Sequence, residues 1–247
     1  MQTPDASAMP PVMVLAAGLG TRMRPITDTL PKPLIKIGGE TMLDRVLDTF
    51  GRAGIDRAVV NTHYLPDQIE AHCGARIRSG KGPSIILSRE AGEPLETGGG
   101  IVRALPHLDN VFFTTNSDSF WVGDTHALPS MLSVFNPLEM DLLLLLAPRH
   151  SSIGLGSHPG DFAILDDGTL ARRGHYPVPF NYTGTALMTA EIFANAPEGP
   201  FSLNVLFDWA IERRRLYGYI LRGQWMTVGT PAAIATAEAA LDRVQAF

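Results

Sequence analysis

Short apolar runs alternate with helix-like segments between residues 12 and 147 of this 247-residue chain. The runs are continuous rather than interrupted by polar residues, which is typical of strands buried on both faces. They lie at residues 12–17, 57–61, 84–88, 111–116 and 141–147. After the first run, Thr41 can cap a helix in which apolar residues from Leu43 to Phe50 recur at helical spacing, and a short helix is predicted at 66–73. This alternation predicts a three-layer α/β fold with a mostly parallel central sheet.

The half of the chain after residue 150 is less regular. The segment DFAILDDGTLARR predicts a hairpin turned at Asp167-Gly168, and YTGTALM predicts another strand. Helices are predicted near Asn204 to Arg214 and Pro231 to Val244. Because no linker separates the halves, we predict a single domain over residues 1–247, with residues 1–11 as a flexible tail.

Composition narrows the class of partner. A net charge of -5 argues against nucleic acid, and the apolar stretch Leu142 to Ala147 is too short to cross a bilayer. The amino terminus lacks the basic cluster of a signal peptide. The single cysteine, Cys73, excludes an internal disulfide and is interpreted as a helix residue beside the core. We therefore expect a cytoplasmic protein with small-molecule partners, no nucleic acid and no membrane, as a monomer or a homodimer.

The segment VLAAGLGTRMRPITDTLPKPL, residues 14–34, places flexible backbone and positive charge directly after the first predicted strand. Gly18 and Gly20 permit tight turns and the close approach of a ligand to the backbone. Arg22, Arg24 and Lys32 carry charge that suits phosphate. A basic surface loop is the alternative, but it would not explain the position at a strand end, where α/β sheets bind ligands. The segment predicts a phosphate-binding loop.

Two common phosphate-binding motifs do not fit this loop. The dinucleotide fingerprint requires a third glycine where Met23 stands, which also counts against a dehydrogenase. The P-loop requires Gly-Lys-Ser/Thr, but Gly20 is followed by Thr21 and Arg22.

What remains is Gly-x-Gly-Thr-Arg, with Pro-Lys-Pro centred on Lys32, ten residues beyond Arg22. This pattern resembles the sugar-1-phosphate nucleotidyltransferases, and the resemblance covers nearly the whole chain from Val12. It implies a three-layer Rossmann-like nucleotidyltransferase fold and transfer of a nucleoside monophosphate from a triphosphate to a sugar 1-phosphate, with release of pyrophosphate. Arg22 would hold the leaving pyrophosphate and Lys32 would contact phosphate. The residues that the resemblance assigns to the triphosphate are Ala16, Ala17, Gly18, Gly20, Thr21, Arg22 and Lys32.

A second glycine-rich segment, EPLETGGGIVRAL, covers residues 93–105. Three glycines before a helical pattern predict exposed backbone amides, although a flexible turn with Thr97 as a helix cap is equally open. In the family this loop reads the base and the sugar, so the resemblance assigns Glu93, Thr97 and Gly98 to the nucleotide and Gly99 to the sugar. The form GEPLETGGG resembles bacterial members that transfer UMP to N-acetylmuramic acid 1-phosphate, which implies UTP as the nucleotide. Guanylyl or other nucleotidyl transfer to mannose or glucose 1-phosphate is the alternative.

The third segment is NSD, residues 116–118, directly after a buried strand. A carboxylate at the carboxyl end of a strand, facing the glycine loop, is where a magnesium ligand is expected. The alternative is that Asp118 caps a following helix. The resemblance implies that Asp118 is a metal ligand, catalytic together with Arg22 and Lys32, and that Asn116 lies near the sugar.

Three further residues match segments that line the sugar pocket in the family, namely Asp161, Asn181 and Asn204. Each match alone is weak evidence for a sugar-binding role. Asp161 can instead start a hairpin, and Asn204 can instead cap a helix. The lactyl carboxylate of N-acetylmuramic acid would need a cationic or amide partner. Arg149, Arg172 and Arg173 are the candidates, and no spacing argument selects among them.

The segment QWMTVGTPAAIATAEAAL departs from the family at one position. Relatives usually carry a second metal-binding aspartate there, and the aligned residue here is Thr227. A threonine hydroxyl can ligate magnesium, as it does in P-loops, but it adds no negative charge. Magnesium is the only cofactor expected. The departure also motivates a second hypothesis, a non-catalytic protein that binds sugar nucleotides.

Overall fold

The structure, a computed structural model, describes residues 8–245. Its strands are β1 Val12–Leu15, β2 Lys36–Ile37, β3 Glu40–Thr41, β4 Arg57–Thr62, β5 Ser84–Arg89, β6 Val111–Asn116, β7 Ser119–Val122, β8 Leu142–Pro148, β9 Ser152–Ile153, β10 Phe162–Ile164, β11 Leu170–Arg172, β12 Phe180–Thr189, β13 Leu216–Ile220 and β14 Gln224–Thr227. Its α-helices are α1 Met42–Arg52, α2 Pro66–Arg78, α3 Glu96–Ala104, α4 Ala127–Val134, α5 Asn204–Glu212 and α6 Pro231–Gln245. None of these helices is long and apolar enough to span a bilayer.

A nine-stranded mixed sheet runs through both halves of the described chain. Strands β6, β1, β4 and β5 are parallel neighbours, and β8 is parallel to β13. Strand β12 runs antiparallel between β6 and β8, and the hairpin of β10 and β11 joins its start. The predicted α/β fold with a mostly parallel sheet is therefore confirmed, and so is the hairpin turned at Gly168, which has a φ of +82°.

Helices cover both faces of this sheet. Val12 and Val14 point to the face that packs against α1, α2 and α4, whereas Met13 points to the face covered by α3 and α5. Thr41 caps α1 as predicted, because its Oγ1 accepts a hydrogen bond from the Asp44 amide at 3.0 Å. The three predicted layers are present.

A third apolar cluster lies beside the sheet and holds the glycine loop in place. Met23 and Ile35 from the segment after β1 pack there with Phe120 of β7, Met226 of β14 and Ala237 of α6. Strands β7 and β14 pair antiparallel and form a ribbon that reaches the end of β6. The basic loop is therefore fixed against the carboxyl-terminal segment rather than free on the surface.

The last residues of the predicted tail pack against the core. Residues 1–7 of the predicted tail lie outside the described residues, while Met9 packs against the core and the Pro11 carbonyl accepts from the Phe113 amide at 2.8 Å.

Cys73 is fully buried on α2, as predicted. Burial raises the pKa of its thiol to about 11, with a smaller contribution from the charge of Asp44, so it is not a reactive thiolate.

The three successive glycines lie inside α3, so the prediction that their amides are exposed before a helix is wrong. The Gly98 amide donates to the Phe201 carbonyl at 2.8 Å, and all three glycines are buried. A Cβ at Gly98 would lie 2.2 Å from the Phe201 ring, and one at Gly99 would lie 2.7 Å from the Gly199 carbonyl oxygen. Glycine is required here because other segments pack against the helix backbone.

Gly98→Ala is expected to lower the free energy of unfolding by about 1–3 kcal/mol, because the Phe201 ring must shift in a packed interior. Gly74→Ala is the matched control in α2, where the added Cβ would meet only the end of the Arg78 side chain at 3.3 Å. The control should be neutral or stabilising, because alanine favours helix more than glycine does. Urea unfolding followed by circular dichroism compares the two, and equal stabilities would contradict this packing.

Candidate active site

An open cavity of about 240 Å³ lies at the carboxyl ends of β1, β4 and β6. Parallel α/β sheets bind ligands at this edge because loops from several strands converge there. Seven of the predicted site residues line the cavity: Ala16, Ala17, Gly18, Lys32, Thr97, Asn116 and Asp118. The glycine loop, the Pro-Lys-Pro segment and the NSD segment are thus brought together, as the sequence predicted from separate motifs.

Lys32 and Asp118 form an ion pair at the floor of this cavity. The Lys32 Nζ donates to Asp118 Oδ2 at 2.5 Å, and the side chains are 11% and 26% exposed. The alternative reading of Asp118 as a helix cap is wrong, because the strand β7 follows it. Gly20, with a φ of +62°, lets the loop fold back so closely that a Cβ there would lie 3.1 Å from the Lys32 Cβ. The fold of the loop therefore places the Lys32 ammonium group beside the Asp118 carboxylate.

The β7–β14 ribbon brings the carboxyl-terminal segment to the same place. Thr227 is the strand partner of Ser119, and the Val228 amide donates to the Asp118 carbonyl at 3.0 Å. The Arg22 guanidinium packs against Gly229, where an added Cβ would lie 3.6 Å from its Nη1. Arg22 and Thr227 do not line the cavity. Thr227 directly precedes Val228, whose amide contacts Asp118, and Arg22 reaches the same segment only through Gly229.

The donor set at this junction suits magnesium held partly by a ligand. Asp118 offers one carboxylate here, and Thr227 carries a hydroxyl on the strand whose next residue contacts Asp118. Within residues 8–245, no group of three or more His, Cys, Asp or Glu side chains could hold a metal. Magnesium is commonly bound by one or two carboxylates, with phosphate oxygens and water completing its octahedron. The residues present would therefore fit a magnesium ion that oxygens of a bound ligand also coordinate.

A buried polar network that the motifs did not indicate also borders the cavity. Asn61 Oδ1 accepts from the Ala16 amide at 2.7 Å, its Nδ2 donates to Glu90 Oε1 at 2.7 Å, and Glu90 Oε2 accepts from the Leu95 amide. Asn61 and Glu90 are 2% and 5% exposed and line the cavity. The network ties the glycine loop to the segment before α3. The sequence did contain a signal for this network, because Asn61 is a polar residue at the end of β4 and Glu90 directly follows β5.

Thr97 connects two helices rather than capping one. Helix α3 begins at Glu96, and the Thr97 Oγ1 accepts a hydrogen bond from the Leu203 amide at 2.8 Å. Asn204 is the first residue of α5, with Leu203 in the capping position, so it is not the helix cap. Its side chain contacts Arg172 and Ser202 instead.

Two other predicted sugar residues lie outside the cavity lining, Asn181 on β12 and Asp161 directly before β10. Asn181 is buried, and its amide group contacts the His158 ring at 3.1 Å and the Ser152 hydroxyl at 2.9 Å. Asp161 Oδ2 accepts from the Tyr182 amide at 2.9 Å. Asn116, which lines the cavity, approaches the same strand at Gly184. A Cβ on Gly184 would lie 2.6 Å from the Asn116 Nδ2, so glycine is needed there. The remaining predicted residues outside the cavity lining are Gly20, Thr21, Glu93, Gly98, Gly99 and Asn204.

Comparison with known proteins identifies the family of this chain. Residues 11–148 match the family model described as nucleotidyl transferase. The chain is 40% identical over 232 residues to an N-acetylmuramate alpha-1-phosphate uridylyltransferase of Caulobacter vibrioides, covering 93% of this chain and 96% of that protein. A protein of the same name from Neisseria meningitidis serogroup B is 32% identical, with 92% and 96% covered.

The fold also matches a solved structure of UDP-glucose pyrophosphorylase complexed with UDP-glucose. The TM-score is 0.76 at 17% identity, covering 96% of this chain and 99% of that one. The chain belongs to the nucleotidyl transferase family. It is an enzyme of the sugar-1-phosphate nucleotidyltransferase class.

Proposed function

We propose that this enzyme transfers UMP from UTP to N-acetylmuramic acid 1-phosphate, releasing pyrophosphate. The pairing of Lys32 with Asp118 beside the glycine loop is the structural observation that carries the assignment of the site. The choice of nucleotide and sugar is supported by the 40% identity to the Caulobacter vibrioides protein. We further propose that the chain acts as one domain in the cytoplasm, where its unpaired Cys73 would meet a reducing environment.

The reaction forms one phosphorus–oxygen bond and breaks another. An oxygen of the sugar phosphate attacks the α-phosphorus of UTP, and the bond from that phosphorus to the bridging oxygen of the β-phosphate breaks. A phosphate monoester has a second pKa of ~6, so the attacking oxygen is already anionic at neutral pH and needs no general base. The protein must therefore supply in-line positioning and neutralise charge on the leaving pyrophosphate.

The residues of the site divide this task. Ala16, Ala17 and Gly18 border the cavity where the triphosphate would lie. The Lys32 ammonium group, which is paired with Asp118 in this structure, would neutralise phosphate charge when the nucleotide binds. Asp118, with the hydroxyl of Thr227, would hold magnesium, which would withdraw charge from the phosphate oxygens. Arg22 would approach the leaving pyrophosphate from the Gly229 side. Asn116 would contact the sugar, and Asn181 and Asp161 would shape the wall beyond it.

The substrates can be tested with a grid of UTP, CTP, GTP and ATP against a panel of sugar 1-phosphates, followed by pyrophosphate release. The highest activity is expected with UTP and N-acetylmuramic acid 1-phosphate. GTP with mannose 1-phosphate as the best pair would instead support guanylyl transfer. Binding of a UDP-sugar without pyrophosphate release in any magnesium concentration would support the non-catalytic hypothesis.

Arg22→Ala is expected to lower kcat by about ten- to a hundredfold, because a charge-assisted contact to the leaving group is worth roughly 1.5–3 kcal/mol. The loss should exceed any rise in the KM for the sugar phosphate, since the contact strengthens in the transition state. Arg24→Ala is the control, because Arg24 lies in the same loop but pairs with Asp28 on the surface. An unchanged kcat in Arg22→Ala would remove Arg22 from the mechanism.

Thr227→Asp is expected to lower the magnesium concentration needed for half-maximal activity, because it adds a carboxylate at the end of the strand that leads to the Asp118 contact. Turnover at low magnesium should equal or exceed that of the parent. Thr230→Asp is the control, since it adds the same charge at an exposed position three residues further on. A full magnesium titration decides the matter. If the parent already saturates at low magnesium and Thr227→Asp only slows it, Thr227 does not occupy a ligand position.

A further inference from the structure

The proposed sugar differs from N-acetylglucosamine 1-phosphate by a lactyl ether, which carries a carboxylate. This group is attached two ring carbons away from the carbon that bears the phosphate, so its charge projects well beyond the phosphate site. A protein that prefers the lactyl sugar needs a fixed cation or donor at that distance. The structure distinguishes among the arginines of this region, which the sequence did not.

Arg172 is already occupied by the protein. Its Nε donates to Asp208, and its Nη2 donates to the side-chain oxygen of Asn204 at 3.0 Å. Its guanidinium also stacks over the rings of Phe162 and Phe207, at 5.5 and 6.0 Å from their centroids. These contacts anchor β11 to α5 and leave little of the guanidinium for a ligand.

Arg173 is exposed and is not held in a defined orientation. Its backbone amide donates to the Asp161 carbonyl at 2.8 Å, but its guanidinium makes no hydrogen bond or ion pair with the residues that the structure describes. An exposed arginine without side-chain contacts must lose side-chain entropy on binding, which weakens its contribution to affinity.

Arg149 is both anchored and available. It follows β8 directly, and β8 runs in the same direction as β6, so its carboxyl end lies at the same edge of the sheet as Asn116. Strand β12 alone separates β8 from β6, so the two strands lie side by side ~10 Å apart. The Arg149 amide donates to the Pro179 carbonyl and its Nε to the His158 carbonyl, both at 3.0 Å. Within residues 8–245 its two terminal amino groups have no partner.

The same contacts connect Arg149 to the predicted sugar residues. His158, whose carbonyl fixes the Arg149 side chain, contacts Asn181 through its ring at 3.1 Å. Asn181 in turn contacts Ser152, which is the strand partner of Trp225, two residues before Thr227. A series of contacts therefore connects Arg149, through His158, Asn181 and Ser152, to the strand that contacts Asp118. Two free amino groups of a guanidinium match the two oxygens of a carboxylate.

We propose that Arg149 binds the lactyl carboxylate of N-acetylmuramic acid 1-phosphate and thereby determines the preference for this sugar. The inference rests on the proposed function. It assigns Arg149 no part in the phosphoryl transfer itself, so the residue should affect one sugar and not the other.

The test is kcat/KM for N-acetylmuramic acid 1-phosphate and for N-acetylglucosamine 1-phosphate, each with UTP, in the parent, Arg149→Gln and Arg173→Gln. Arg149→Gln is expected to lose about ten- to a hundredfold with the lactyl sugar, as for a hydrogen-bonded charge pair. It should change less than about threefold with the other sugar, which also shows that the variant folds. Arg149→Lys should fall between, because lysine keeps the charge but not the two-pronged geometry.

The outcomes separate the inference from the function on which it rests. An Arg149→Gln variant that loses both sugars equally would overturn the inference, because it would indicate a structural or phosphate-binding role. A selective loss in Arg173→Gln instead would assign the carboxylate to Arg173 and overturn it as well. A parent that is inactive with N-acetylmuramic acid 1-phosphate but active with another sugar phosphate would contradict the proposed substrate, and the inference with it.

Discussion

Asp118→Asn is expected to lower kcat by roughly 10²–10³-fold, the loss seen when one preorganised electrostatic group is removed from an active site. The asparagine oxygen can still accept a hydrogen bond from Lys32, so the loop and the fold should remain intact. What disappears is the negative charge that would hold magnesium against the triphosphate, at the point where the β7–β14 ribbon contacts the end of β6. The magnesium dependence should therefore change together with kcat.

Asp124→Asn provides the matched control for this loss. Asp124 lies just beyond the other end of β7, where its carboxylate accepts from the His126 and Arg222 amides away from the cavity. The control should keep a turnover within about threefold of the parent, and both variants should show the parent's circular dichroism spectrum. If Asp118→Asn retains more than a third of the parent turnover at saturating magnesium, Asp118 is not a metal ligand.

Arg76→Met is expected to lower the free energy of unfolding by about 3 kcal/mol. The Arg76 side chain is 3% exposed and joins α2 to α1 through hydrogen bonds to Asp44 and Asp48. It also donates to the Gly82 carbonyl in the loop after α2. Removing one partner of a buried pair costs about 3–5 kcal/mol, and the lower end applies because both carboxylates keep about a quarter of their surface exposed. Methionine retains the packing of the aliphatic stem. Arg78→Met, an exposed position on the same helix, is the control.

Acid should reduce the difference between Arg76→Met and the parent. Burial alone would raise the pKa of Asp44, but hydrogen bonds from Thr41, His72 and Arg76 outweigh it and hold that pKa below its usual value. A lowered pKa in the folded state stabilises the parent above about pH 4 and ceases to do so as the pH falls through the folded pKa. In Arg76→Met, protonation of Asp44 would instead relieve its repulsion with the neighbouring Asp48 carboxylate. Urea titrations at pH 7 and pH 3.5 test this, and a pH-independent difference would contradict the role of the ion pairs.

The order of elements and the location of the site could be predicted from local patterns. The apolar runs are continuous, so the buried strands were predicted close to their observed bounds, as for 111–116. Polar residues directly after such runs, as at Asp118, converge at one edge of a parallel sheet because strand direction fixes where they point. The same rule applied to Asn61 and Glu90 would have found the network that holds the glycine loop.

Contacts between distant segments could not be predicted in this way. The three glycines of α3 were interpreted as exposed backbone, but the residue that makes them necessary, Phe201, is about a hundred positions away in the sequence. Glycine serves both flexible loops and close packing, and the sequence alone does not distinguish these uses. Likewise, Lys32 and Asp118 were assigned to the site separately, and only the fold shows that they form an ion pair across 86 positions.

The most direct test of the central claim follows the α-phosphate itself. The enzyme is incubated with magnesium, N-acetylmuramic acid 1-phosphate and UTP that carries radioactive phosphorus in the α-position, and the products are separated. The proposed attack on the α-phosphorus predicts that all transferred label appears in a UDP-sugar, with one unlabelled pyrophosphate released for each molecule formed. Label in free UMP, or bound UTP that yields no pyrophosphate, would contradict it.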